Sequence, residues 1–199
     1  MDIYGRICSN QIKSNQIKNT YQSPKQHEIS DFRGLDEVEW REFFVTDIFH
    51  TPKRGKRIIS SNYQFGNKPI VSSAGGNNGV IAFIGNDDNV REYQNCLSVA
   101  NGGVSAGFAY YHPYKFIATD HVTQFKGDNL NKYHYLFLSL VIKKQMQEKY
   151  HFSREMTDGR LKREKLLLPI TSDGHVDFDF MEQYIKRLEN NVIKQGIKQ

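Results

Sequence analysis

The chain has 199 residues, of which 38% are hydrophobic and 13% aromatic, enough for one full core or two small ones and too apolar for a disordered polypeptide. Its 27 Lys and Arg against 22 Asp and Glu leave a net charge of +5, compatible with a phosphate-bearing partner but not diagnostic of one. Two cysteines, Cys8 and Cys96, lack the paired spacing of a disulfide framework or a metal site. They fit a reducing, cytoplasmic setting. The opening residues lack the apolar run of a signal peptide, and no stretch approaches the roughly 20 apolar residues of a membrane span.

Residues 1–37 read as a polar leader. Within it Ser9-Asn10-Gln11-Ile12-Lys13 is followed at once by Ser14-Asn15-Gln16-Ile17-Lys18. Two copies are too few for a solenoid, so a flexible leader or frayed helix is the plain expectation, and a partner-docking arm the alternative. An ordered domain is expected over 38–176, opening with a strand and a short helical turn at residues 40–49. A basic loop follows, Lys53-Arg54-Gly55-Lys56-Arg57. Short strands are then predicted at 69–73, 80–84, 96–100, 108–111 and 121–125, punctuated by Gly and Asn turns. This pattern indicates an antiparallel or mixed β unit. A helix over about 131–150 starts apolar and ends polar, and residues 166–170 read as a buried strand ending at Pro169.

The last element, 177–199, reads as a helix from about Phe180, with Asp179 as N-cap and Glu182 completing a capping box. Met181, Ile185, Leu188 and Val192 recur at steps of four, three and four. They suit a packing seam between subunits or a plain amphipathic helix on the domain's own core, and the residues alone do not choose. The fold expected is mixed α/β with short strands and a C-terminal helix.

The familiar catalytic signatures are missing. No GxxxxGK[ST], GxGxxG or HExxH occurs, and no Asn-Pro-Pro-Tyr run that an amino-methyltransferase would use on a flipped base. Asp173, Asp177 and Asp179 read as a turn and helix start rather than a metal cage. Asp120-His121 has no nucleophile nearby in sequence, and the seven histidines are scattered. No metal site is expected, and an enzyme becomes the less favoured class.

Three segments together resemble the specificity (S) subunits of type I restriction–modification systems and related type II assemblies. Trp40-Arg41-Glu42-Phe43-Phe44-Val45-Thr46-Asp47-Ile48-Phe49 is similar to the family's opening W-x-x-F-x-[VL]-x-[DE]-[IL]-F. Pro69-Ile70-Val71-Ser72-Ser73-Ala74 with Asn77-Asn78-Gly79-Val80 is similar to a second motif. Asn101-Gly102-Gly103-Val104-Ser105-Ala106-Gly107-Phe108-Ala109-Tyr110-Tyr111-His112-Pro113-Tyr114-Lys115-Phe116, continuing to Asp120-His121-Val122-Thr123, is similar to a third. Two departures stand out: Val104 intervenes before Ser105, and His121 sits where a second acidic residue is common.

The resemblance, spanning about residues 40–188, implies a target recognition domain that does no catalysis and holds no cofactor. A partner modification subunit would carry S-adenosylmethionine and methylate adenine, and a restriction subunit would act with it. A usual S subunit has two such domains separated by long helices. This chain resembles half of one, so two copies pairing through their last helices would read an inverted-repeat target in double-stranded DNA.

Within that resemblance Lys53, Arg54, Lys56 and Arg57 become phosphate contacts rather than a solvated loop. Asn77, Asn78 and Asn101 are either turn formers or readers of adenine edges, with turn chemistry favoured for at least two. Ser73 and Ser105, like Ser72, either meet phosphates or satisfy the backbone. His121 and Gln124 lie on a strand face, where Gln124 reads a base or faces water, and His112-Pro113-Tyr114 is architectural. Arg154, Arg160, Lys162 and Arg163 flank a Gly turn, and at least one is expected in the major groove. Two other functions stay open: an adaptor or decoy that binds the modification subunit without sequence preference, and a cryptic nuclease.

Overall fold

The computed structural model of the chain describes residues 25–50 and 52–196. The tandem repeat, Cys8 and most of the predicted leader lie outside these residues. Residues 29–186 form one compact unit; residues 25–28 and 187–196, as described, belong to a second.

In the larger unit, β1 (Glu39–Phe44), followed at once by the short helix α1 (Val45–Ile48), pairs antiparallel with β10 (Lys165–Ile170), so the first and last strands close on each other. Two four-stranded sheets lie between them in sequence. One has the order β2 (Lys53–Arg54), β9 (Val122–Phe125), β6 (Cys96–Ala100), β7 (Ala109–His112). The other runs β4 (Val80–Ile84), β3 (Lys68–Val71), β8 (Phe116–Ala118), β5 (Glu92–Tyr93). All ladders are antiparallel except β3 with β8, where Ile70 faces Ile117 and Val71 faces Ala118 in parallel. The β part is therefore antiparallel apart from one parallel pair, as the Gly and Asn punctuation suggested, and with its helices the fold is mixed α/β as expected.

The β3–β8 pair shows why its residues read as nearly continuous apolar runs. Successive side chains alternate faces, and here both faces are covered. Ile70, Ile84 and Ile117 pack in one cluster, while Val71, Phe116, Ala118, Cys96 and Val122 pack in another. The Cys96 thiol is buried there, and its pKa is pushed up to about 12 by loss of solvent. The largest cluster joins helix α2 (Lys132–Met146) to the other sheet and to β10. Tyr111 stacks on Tyr135 at 5.1 Å, and Phe49 meets Phe125 at the same distance.

Several expectations are corrected. The basic loop begins as β2, an edge strand paired with Thr123 and Gln124. A two-residue strand has no periodicity to betray it. The predicted helix over 131–150 starts as expected, with the Asn131 side chain accepting from the N–H groups of Tyr133 and His134. It ends at Met146, where a Cβ on Gly107 would stand 2.8 Å from the Gln147 nitrogen. The chain turns there to bury Tyr150, whose hydroxyl donates to Glu164 at 2.6 Å. Strand β10 is half-buried with alternating exposure, and Pro169 lies inside it opposite Trp40, a site an edge strand tolerates. Gly159 falls within the short helix α3 (Asp158–Leu161) rather than in a turn.

The last helix, α4, runs Phe178–Gly196 and is capped by Asp177 in place of Asp179. Asp177 Oδ1 accepts from the Phe180 N–H at 2.9 Å, and its Oδ2 accepts from Arg33 at 2.9 Å. The pair of carboxylates around Arg33, Asp31 and Asp177, raises the guanidinium pKa. Glu182 turns instead to Asn131 and Lys186. Met181 and Ile185 are buried in the main cluster, so this part of the expected seam is intramolecular. Leu188 and Val192 are 40% and 69% exposed. In the smaller unit, the Asn190 side chain brackets His27, accepting from its N–H at 2.7 Å and donating to its carbonyl at 2.9 Å. Among the described residues no helix is long and apolar enough to cross a membrane.

His112 is fully buried, sharing a 2.8 Å hydrogen bond between Nε2 and the Ser98 hydroxyl and lying 4.4 Å from the Phe116 ring. Burial holds its pKa down to about 4, against 6.5 ordinarily.

Two predictions follow from this packing. As pH falls, the unfolded chain takes up the imidazole proton before the folded chain does. The His112 contribution is whole above about pH 6.5 and shrinks between there and about pH 4, by on the order of 3 kcal/mol. Urea unfolding across that window should show this slope, and His112→Gln should flatten it. Asp177→Ala should cost about 2 kcal/mol in the same assay by removing a cap and an ion-pair partner together. Asp177→Asn, which keeps a capping oxygen, should cost about half as much.

Candidate nucleic-acid interface

The two sheets meet where the chain leaves β8 and enters β9 through Thr119, Asp120 and His121. This corner collects loops from four other places. Asn101, just past β6, is buried and all of its polar groups are engaged. Its N–H donates to the His121 carbonyl at 2.9 Å and its own carbonyl accepts from Met156 at 2.7 Å. Its Nδ2 donates to the Asp120 carbonyl at 3.1 Å, and its Oδ1 accepts from the Thr123 hydroxyl at 2.6 Å. One amide thus ties the β6–β7 loop, the β8–β9 corner and the segment after α2 together.

The neighbouring loops are held in the same way. Ser73 donates to the Gly102 carbonyl at 2.9 Å, and Thr119 donates to the Ser72 hydroxyl at 3.0 Å. Arg54 reaches across to the Met156 carbonyl at 3.0 Å, with Glu155 at 3.9 Å. Gly55 is pressed so closely onto the corner that a Cβ there would stand 2.1 Å from the Thr119 carbonyl oxygen. Only glycine fits, and it lets the Gly55 and Lys56 N–H groups bond Val122 and Ala118.

These contacts leave an open cleft of about 430 Å³ at the corner, floored by Asn101 and Gly102 and walled by Arg54, Ser73, His121 and Glu155. Val104 and Phe152 stand at its edge as exposed apolar tips, Phe152 at 76% exposure. The cleft offers hydroxyls, an imidazole and a guanidinium, but its charge is mixed, since Asp120 approaches His121 at 3.8 Å. Among the described residues no group of three or more His, Cys, Asp and Glu could hold a metal ion.

Of the residues picked out from sequence, Arg54, Ser73, Asn101 and His121 come together here. Lys53, Lys56 and Arg57 are exposed beside it along the chain. Asn77 and Asn78 are exposed and have φ of 49° and 52°, the left-handed geometry that Asn tolerates in turns. Ser105 and Gln124 are buried, Gln124 opposite Ser98 in the sheet, so neither presents a free edge. Asn101 likewise spends its amide inside the chain. Arg160 bonds the Glu155 carbonyl and Arg163 the Gly159 carbonyl, while Arg154 lies over the Tyr150 ring and Lys162 is exposed. Sequence reasoning passed over Phe152 and noted Val104 only as a departure from the third motif. The signal available for Phe152 was a lone large apolar residue in an otherwise polar stretch after a helix.

The protein-family model described as the type I restriction modification DNA specificity domain matches residues 37–199. The chain is 35% identical over 193 residues to a protein of Heyndrickxia coagulans named Type II restriction enzyme BgcI specificity subunit S.BcgI. That match covers 96% of this chain and 55% of the relative, so the chain spans about half the relative's length. Among solved structures it is similar to the type I restriction–modification system S subunit from M. genitalium. The TM-score is 0.53 at 11% identity, over 71% of this chain and 37% of that one. It is also similar to a chain solved in work on complex assembly and conformational transition of the type I R-M system. There the TM-score is 0.51 at 10% identity, over 97% of this chain and 48% of the other. At these identities the structural likeness concerns the fold alone. The family match over residues 37–199 establishes that the chain belongs to the type I restriction modification DNA specificity domain family.

Proposed function

We propose that the chain is a sequence-reading head that binds double-stranded DNA and directs a partner adenine methyltransferase, and its restriction subunit, to a target. The observation that carries this reading is the Asn101-centred corner, where loops from distant parts of the chain are locked into one platform with exposed tips. A reader needs such rigidity, because a base contact misplaced by a fraction of an ångström loses its hydrogen bond. The exposed cations Lys53, Lys56, Arg154 and Lys162 would meet phosphates, setting affinity and register, while the cleft residues would meet bases. The chain supplies no chemistry on this reading. S-adenosylmethionine belongs to the partner, and the complex works in the cytoplasm.

We further propose that two copies associate through the exposed Leu188 and Val192 of α4 and read an inverted repeat. An adaptor without sequence preference has one feature in its favour. An apolar groove lined by Leu35, Trp40, Phe137, Leu140 and Leu167 would suit a protein partner.

Enrichment of a randomised duplex library by the purified chain with its modification subunit separates the readings: a reader enriches one sequence, an adaptor none. Light scattering on the chain alone should give the mass of a dimer, reduced to that of a monomer by Leu188→Lys. Affinity for the enriched duplex should fall steeply with salt, and Lys53→Ala or Lys56→Ala should each reduce the salt slope by about 1. Asn101→Ala should cost about 2 kcal/mol of stability by orphaning its partners. It should also weaken binding to the enriched duplex more than binding to an unrelated one.

A further inference from the structure

A second cavity, of about 570 Å³ and lined by Ile58 and Ile59 as well as polar residues, shares none of its lining residues with the Asn101 cleft. Residues 57–64 form one wall and residues 86–89 the other. Asn86 is buried and clamps the two together: its Oδ1 accepts from the Gln64 N–H at 3.0 Å and its Nδ2 donates to the Asn62 carbonyl at 2.9 Å. Gly85 adds a bond from its N–H to the Gln64 carbonyl at 2.9 Å. The strands of chain cross so tightly that a Cβ on Gly66 would stand 2.3 Å from the Gly85 Cα.

This clamp leaves a large aromatic side chain outside. Phe65 has a relative exposure of 106%, and no ring or cation among the described residues packs on it. A free loop would fold such a residue inward, because burying a Phe side chain is worth about 1.5–3 kcal/mol. The side chains of Arg57, Asn62, Gln64, Asp88 and Asn89 line the cavity, and among the described residues none of them has a hydrogen-bond or ion-pair partner. They form an unusual set. A side-chain amide offers a donor and an acceptor together, matching adenine N6 and N7. A guanidinium matches guanine O6 and N7, and a carboxylate accepts from cytosine N4. A phosphate site would call for more cations and would be repelled by Asp88. The set is continuous with the first cleft through the chain itself, since Arg54 lines one cavity and Arg57 the other.

We propose that this cavity and the Phe65 tip form a second base-reading site, contacting base edges of a duplex segment next to the one met at the Asn101 cleft. Asn62, Gln64 and Arg57 supply hydrogen bonds to the bases in the major groove, and Phe65 meets a thymine methyl there. The proposal rests on the DNA-reading function above.

The test selects a randomised duplex library with the full chain and its modification subunit, in three forms: wild type, the double variant Asn62→Ala with Gln64→Ala, and Phe65→Ser. All substituted residues are exposed, and thermal melting checks that each variant is folded. The double variant should bind the wild-type sequence about ten-fold more weakly and lose base preference at one or two adjacent positions, the others being kept. Phe65→Ser should weaken preference at the same positions. Variants that enrich the wild-type sequence with unchanged affinity would overturn the second site and leave DNA reading standing. A loss spread evenly over every position would overturn it too, marking a contact that does not read bases. If the wild-type complex enriches nothing, DNA reading and this site fall together.

Discussion

At Thr119–His121 the backbone passes from one sheet into another, and such a change of direction inside a packed structure leaves N–H and C=O groups that neither ladder can pair. Unpaired buried backbone groups cost as much as lost hydrogen bonds, so something must meet them. In this chain Asn101 meets two of the corner's carbonyls, and Gly55 lets the adjoining backbone of β2 pack against it. Asn101 meets the His121 carbonyl with its N–H and the Asp120 carbonyl with its Nδ2, and its two oxygens bind Met156 and Thr123 to the same point. Gly55 lets an edge strand approach to where any Cβ would clash. The loops that carry Ser73, Val104, His121 and Phe152 are then fixed as a by-product of satisfying the corner. Rigidity at the candidate interface and stability of the sheet junction share one origin.

The same economy shapes the charge. Arg54 and Arg160 look from sequence like free cations, but both bond backbone carbonyls of the 155–156 segment. They act as braces across loops, a task suited to a planar guanidinium with several fixed donors. The cations left exposed are spread beside the cleft rather than concentrated in it, consistent with the modest net charge of +5. Phosphate contacts need only surface cations with reach, whereas base contacts need side chains held in place. In this chain Arg54, Ser73 and Asn101 are held in place by hydrogen bonds, while Lys53, Lys56 and Lys162 stand exposed.

The final helix divides along its length. Asp177 starts it and is itself held by Arg33, while Phe180, Met181 and Ile185 enter the main core. Further on, Leu188 and Val192 stand exposed, although they continue the same spacing. A periodic apolar stripe records which face of a helix is apolar. It carries no information about what covers that face from one turn to the next.

The sequence by itself determined the fold class and most of the strands. Val80–Ile84 and Cys96–Ala100 were legible to the residue, because apolar runs of that length bounded by Gly and Asn have few other solutions. It also determined the family, through motifs that keep their order over most of the chain. It left β2, β5 and β8 unread, since strands of two or three residues exist only by virtue of long-range partners. It could not tell that Asn101, Ser105 and Gln124 turn inward while Phe65 and Phe152 turn outward. A polar residue faces a core when distant backbone needs its hydrogen bonds, and Phe65 faces solvent beside the Gly66–Gly85 crossing and the Asn86 clamp. Both conditions are set by segments far away in sequence, and only the tertiary structure brings those segments together.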